Sequence, residues 1–88
     1  MSQLVFTSPN TPSENKNLRK QVSERIRKRM QVLRKERGLT QQQVSDRAGL
    51  HLTYLGHLEL GKYHPSAFVL WKIAQVFEIS VDSFFQDQ

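Results

Sequence analysis

The sequence predicts an all-α domain of five helices. Three observations lead there. Apolar residues recur at steps of three and four over long stretches. Gly or Pro, with a capping Ser or Thr beside it, separates those stretches. No segment alternates apolar and polar residues between turn signals.

Residues 1–17 read as a flexible N-terminal tail. Ser, Thr, Asn and Pro dominate it, and Pro9 and Pro12 are expected to break any helix. Leu4-Val5-Phe6 is its only apolar cluster. The tail has no Lys or Arg before Lys16, which argues against a basic arm that enters the minor groove. A first helix is expected from about Leu18 to Arg37. Leu18, Val22, Ile26, Met30 and Leu33 fall within one arc of about 120° at 100° per residue, and Gly38 ends the run.

Thr40 then precedes Gln41-Gln42-Gln43 as an N-cap. Val44 and Ala48 form the buried side of a second helix, and Gly49 stops it. Leu50 and His51 lead into a third helix over about Leu52–Leu60. Leu55 and Leu58 point inward, Leu52 points outward, and Gly61 closes the helix. Pro65 and Ser66 open a fourth, with Phe68, Val69, Trp71, Ile73, Ala74, Val76 and Phe77 as its apolar residues. At helical spacing, Trp71 and the phenylalanines are assigned to core and dimer contact rather than to a ligand pocket. Ser80 caps a short last helix holding Val81, Phe84 and Phe85. Residues 18–88 form one domain in this reading.

The net charge is +5, unevenly placed. Lys16 to Arg37 holds ten Lys and Arg against Glu24 and Glu36, or 10 − 2 = +8; the remainder carries 3 − 6 = −3. An extended basic first helix on a mildly acidic body points to an anionic partner for one face, nucleic acid first. The absence of cysteine excludes disulfides, thiolate metal sites and thiol catalysis. No apolar run reaches the roughly 18 residues of a membrane span. No secretory signal pattern opens the chain, so a cytoplasmic protein is expected. His51, His57 and His64 lie at spacings that put them on different faces, without an acidic or thiol cluster, so no metal site and no cofactor is expected. No catalytic motif is present, and an enzyme is not expected.

Residues 41–60 carry the spacing of a helix-turn-helix. Two short helices with about three residues between them cross steeply. Gly49 permits the left-handed turn, and Leu50 plugs the angle. Counting from Gln41, apolar Val44 stands fourth, Gly49 ninth, Leu50 tenth, Leu55 fifteenth and Leu58 eighteenth. Together with "LRKERGLTQQQVSDRAGL", "TYLGHLELGKYHPS" and "WKIAQVFEISVDSFF", this resembles the Xre/Cro-type, lambda-repressor-like helix-turn-helix transcription regulators, from about Ile26 to Phe85. Size and the Thr-Tyr-Leu start of helix three also look like the controller proteins of restriction-modification systems.

The resemblance implies a five-helix domain that binds double-stranded DNA, with its third helix in the major groove, as a homodimer on two-fold-related half-sites. By position it assigns Gln41, with Gln42 beside it, to phosphate contact, and Arg34 with Glu59 to an ion pair between helices one and three. Lys62, Tyr63 and His64 match the loop that touches the DNA backbone. Val81, Phe84 and Phe85 match the dimer surface. The sequence also departs from the family pattern. Ser45 replaces a usual Ala and needs a carbonyl for its hydroxyl. Leu52 stands where relatives often place a polar base reader, and Gly56 sits inside the helix.

The base-facing positions on this alignment are Leu52, Thr53, Gly56 and His57, with His51 and Tyr54 at the edge. Thr53 reaches a base edge or a thymine methyl, and His57 donates to guanine or to phosphate. None of these makes the bidentate Arg–guanine or Gln–adenine contact. Phosphate contacts are therefore expected to supply most of the affinity, and DNA shape part of the specificity. The rival class is a protein-interaction module, such as an antitoxin-like subunit with secondary DNA binding. RNA binding is the weaker third choice, because no stacking aromatics lie on an exposed sheet.

Overall fold

The computed structural model describes residues 11–86. Four α-helices and one 3-10 helix follow in order: α1 (Pro12–Glu36), α2 (Gln41–Ala48), α3 (Leu52–Glu59), α4 (Ala67–Phe77), and the 3-10 helix Val81–Phe85. The described residues contain no strand. Leu4-Val5-Phe6 lies outside them.

The first helix begins at Pro12, not at Leu18. The sequence "TPSE" builds this start. Thr11 Oγ1 accepts from the Glu14 backbone N–H at 3.1 Å, and Glu14 Oε1 accepts from the Thr11 N–H at 3.0 Å. Pro12 sits in the first helical turn, where its missing N–H has no intrahelical partner to lose. Pro12 thus starts the helix it was expected to break. At 1.5 Å per residue the 25-residue helix is about 37 Å long, most of the 41 Å long axis of the described chain.

Ile26, Met30 and Leu33 of α1 are buried, whereas Leu18 and Val22 are only half-buried. The C-terminal part of α1 therefore holds the core, and its N-terminal turns project beyond it. Thr40 caps α2 by the same reciprocal pattern as Thr11, with Gln43 in the place of Glu14. Gly49 closes α2 at φ 69°, a left-handed value that a Cβ disfavours. Val44, Leu55 and Leu58 of α2 and α3 join the buried core cluster, half-buried Leu50 packs against it, and Ala48 is buried as well. Ser45 is fully buried, and its hydroxyl donates to the Gln42 carbonyl at 3.0 Å.

Two assignments change in the last third. Phe68 and Trp71 are not core: they are 65% and 50% exposed, stacked on each other outside α4, with Lys72 over the Phe68 ring. Leu70 is buried instead, alongside Val69, Ile73, Ala74 and Phe77. The final element is a 3-10 helix, held by i→i+3 bonds from Ser83 N to Ser80 O and from Gln86 N to Ser83 O. That tighter turn drives Phe84 fully into the core against Phe77 and leaves Phe85 39% exposed. Phe84 is thus covered by its own chain, and the outward surface predicted for it belongs to Phe85 and half-buried Val81.

Phe84→Ala is expected to lower the unfolding free energy by about 3–5 kcal/mol in urea titration, the cost of emptying a core aromatic site. The Glu14 carboxyl is held below its ordinary value of 4.5, first by the Thr11 backbone N–H and then by the Thr11 hydroxyl. A depressed folded value stabilises the first turn above the ordinary value and loses that effect as pH falls through the lower one. The protection of the Thr11 amide, its exchange rate compared with the intrinsic rate at the same pH, is therefore expected to fall on acidification through the carboxyl titration, and Glu14→Gln should remove most of that pH dependence.

Candidate nucleic-acid interface

The outward face of α3 depends on a buried carboxylate at its last residue. Glu59 is 3% exposed. Arg34 of α1 donates to it from Nε at 2.6 Å and from Nη2 at 3.0 Å, a two-pronged pair. Gln41 of α2 donates to the same carboxylate at 3.1 Å. The third Arg34 nitrogen donates to the Leu39 carbonyl at 2.9 Å, in the α1–α2 linker. Gln31 donates to the Glu59 backbone carbonyl at 2.6 Å and so ties the end of α3 to α1. Three helices therefore meet on one residue. The pair was legible in the sequence; Gln31 was not.

With Leu55, Leu58 and Glu59 turned inward, α3 and its cap leave His51, Leu52 and Thr53 exposed, and Tyr54, Gly56 and His57 half-buried. Two elements flank this face. On one side stands the start of α2: a Cβ placed on Gly56 would lie 3.9 Å from Gln41 Oε1, an ordinary contact. On the other side the loop after α3 folds back. Tyr63 stacks on Tyr54 at 6.0 Å between ring centroids and meets the His57 ring edge-on at 5.2 Å. Lys62 is exposed beside it.

Three assigned residues have structural partners as well. The Gln41 side chain is engaged by Glu59 through its amide. Gln42 donates to Asp46 at 2.8 Å. His64 pairs through Nδ1 with the Ser23 hydroxyl and pins the loop to α1. Ser23 was missed in the sequence. It lies with Arg27, Gln31 and Arg34 at steps of four, four and three, a polar stripe beside the apolar one.

The basic charge divides by residue type. Arg29 donates to the Ser83 carbonyl at 3.1 Å, Arg25 to that of Phe85 at 3.3 Å, and Arg37 to that of Phe77 at 2.7 Å. These carbonyls lie at helix ends, where cations and donors are favoured. Arg37 also lies 5.7 Å over the Phe77 ring. Arg27 pairs with Glu24 at 2.7 Å, and this hydrogen bond is the main cause that holds the Glu24 carboxyl below its ordinary value. Five of the ten cations between Lys16 and Arg37 thus serve the fold. Lys16, Arg19, Lys20, Lys28 and Lys35 are exposed.

Among the described residues no three His, Cys, Asp or Glu side chains gather as a metal group, and no helix is long and apolar enough to cross a membrane.

Comparison with known proteins agrees with this geometry. The helix-turn-helix family HTH_3 matches residues 30–84, from the last turns of α1 to the 3-10 helix. The chain belongs to this Xre-like helix-turn-helix family. An uncharacterized HTH-type transcriptional regulator of Sinorhizobium fredii is 42% identical over 48 residues, 54% of this chain and 62% of that protein. One from Archaeoglobus fulgidus is 33% identical over 60 residues, 68% and 86% of the two chains. The immunity repressor protein of Bacillus phage phi105 is 36% identical over 58 residues, 66% of this chain but only 40% of the repressor. The family is one of DNA-binding transcription regulators, not a class of enzymes. The matched segment contains Arg34, Gln41, Glu59 and the whole outward face of α3, and leaves out α1 before Met30.

Arg34→Ala is expected to cost about 3–5 kcal/mol, because it strands a buried carboxylate. In a double-mutant cycle with Glu59→Ala the two losses should fall short of additivity by about 0.5–3 kcal/mol, and strict additivity in urea denaturation would remove the pair from the account.

Proposed function

We propose that this chain is a sequence-reading regulator of transcription that lays α3 in the major groove of double-stranded DNA. One observation carries this reading: the outward face of α3 lies between the start of α2, through Gly56 and Gln41, and the Lys62–Tyr63 loop, through Tyr54 and His57. Two phosphate-contacting elements thereby flank one reading surface, and such contacts set register while base edges set sequence. Thr53 and Leu52 are the exposed readers, and His57 reads or touches phosphate from the Tyr63 side. The chain acts as a homodimer on a two-fold site, with exposed Phe85 and half-buried Val81 at the contact between copies. It works where duplex DNA is found, in the cytoplasm.

Nothing inside the fold requires the missing side chain at Gly56, since a Cβ there meets only ordinary contact. Its use is outward, in close approach to the groove. An interaction-module reading is favoured by one feature, the exposed Phe68–Trp71 stack.

Selection of bound duplexes from a random library tests the reading directly. A two-fold-symmetric motif is expected; recovery of no motif would turn the search to a protein partner. Thr53→Ala should relax the preference at one position of each half-site more than it weakens total binding. Gly56→Ala should raise stability by about 0.5–1 kcal/mol through helix propensity and yet weaken binding to the selected duplex. Phe85→Asp should sediment as a monomer, and an intact dimer would remove that surface.

A further inference from the structure

We propose that the projecting N-terminal turns of α1 form a second phosphate-contacting segment, in which Lys16, Arg19 and Lys20 lie along the duplex backbone outside the stretch reached by α3 and its loop. The inference rests on the DNA-binding reading above and extends the interface into residues that the family match does not cover.

The register of α1 is the first ground. Its polar stripe meets α3 and the following loop at four successive points: Arg34 at the Glu59 carboxylate, Gln31 at the Glu59 carbonyl, Arg27 beside Gly61, and Ser23 at His64. The chain after α3 thus runs along α1 toward its N-terminus. Seven residues at 100° each return to within about 20° of the same direction, so Lys16 stands above Ser23 and Lys20 above Arg27 on that stripe. The stripe continues past His64 with cations.

Reach is the second ground. Seven residues at 1.5 Å place Lys16 about 10 Å beyond the level of His64. Phosphates along one strand advance by about 3.4 Å of axis each, so this corresponds to roughly three further positions. Lysine and arginine stems add their own length.

Charge allocation is the third. The arginines downstream are turned to carbonyls and carboxylates of the fold. Lys16, Arg19 and Lys20 are exposed, and the ion pairs found among the described residues are Arg27 with Glu24 and Arg34 with Glu59. Lys20 does feel Glu24, but that carboxylate is already bonded to Arg27. Leu18 and Val22 are half-buried, so the extension sits on little core, and the fold gains little from carrying three cations there. A polyanion running past the loop is the partner that complements them.

The test uses the full chain, the duplex recovered by selection, and two variants. One is K16A/R19A/K20A; the other is K16R/R19K/K20R, which keeps the charge. Circular dichroism checks that both remain helical. Binding is measured from about 50 to 200 mM salt, with hydroxyl-radical footprints. The alanine variant is expected to lower the log–log salt slope by about 2–3 per bound protomer, or about 5 for the two-fold dimer, at roughly 0.9 per lost contact. It should also lose protection outside the half-sites and keep the same sequence preference. The charge-keeping variant should retain slope and footprint. An unchanged slope and footprint in the alanine variant overturns the proposal while leaving the DNA-binding reading intact. If the unaltered chain binds no duplex, the parent reading fails and this one with it. If the alanine variant instead loses sequence preference, α1 is a reader or a support for α3, and the flanking-phosphate role is overturned.

Discussion

Glu59 is an acidic residue with almost no solvent, placed where α1, α2 and α3 converge. Burying a carboxylate costs several kcal/mol unless charge and hydrogen bonds replace the water. Here one guanidinium and one amide supply three bonds to it, and they come from the two helices that α3 must be set against. If α1 shifts against α3 the charge is left unpaired, and if α2 shifts it loses the Gln41 bond. The apolar residues Leu55 and Leu58 would accept a range of nearby orientations, because hydrophobic burial is non-directional. The fork of Arg34 does not accept that range. The orientation of the candidate reading face therefore rests on a polar contact on the opposite side of the same short helix.

The same logic divides the positive charge. A guanidinium has several donors in a plane and reaches carbonyls and carboxylates with defined geometry; an ammonium is a hydrated point charge on a flexible stem. Arg25, Arg29, Arg34 and Arg37 use that geometry to fasten α1 to the α1–α2 linker, to α3, to the end of α4 and to the 3-10 helix. The cations left facing solvent are mostly lysines. A net charge read as a footprint for DNA is therefore half internal carpentry, and the cations left exposed are Lys16, Arg19, Lys20, Lys28 and Lys35 in α1, with Lys62 after α3.

A helix whose outward residues are Leu, Thr, Gly and His has no long arms with which to reach bases. In the proposed DNA-binding reading, what stands beside the helix compensates. Tyr63 lies across Tyr54 and His57, so the loop and α3 present one surface, and Gly56 leaves room for the backbone to come near. In that proposed reading, short side chains need a close and well-oriented approach, and the clasp at Glu59 and the Tyr63 contact both work toward it.

Local chemistry determined much of this chain. Thr40 with Gln43, Gly49, and the apolar spacing from Val44 to Leu58 specify two short helices and a sharp turn, because capping, left-handed backbone and helical period act within a few residues. The start at Pro12 was equally local, written in Thr11-Pro12-Ser13-Glu14, and was hidden only by treating proline as a breaker rather than as a first-turn residue. Other features required the assembled fold. Periodicity gives the angles between side chains on one helix, but not which arc another helix will cover. For that reason Phe68 and Trp71, which read as core or dimer contact, lie outside, while Phe84, which reads as dimer surface, lies inside. Gln31, Ser23 and Arg37 are ordinary polar residues in the sequence, and they become fasteners only because residues 28, 41 and 40 positions further along fold back onto them. Short-range order came from the residues themselves. Which face each helix hides came from packing, since burial depends on neighbours that are distant in the chain.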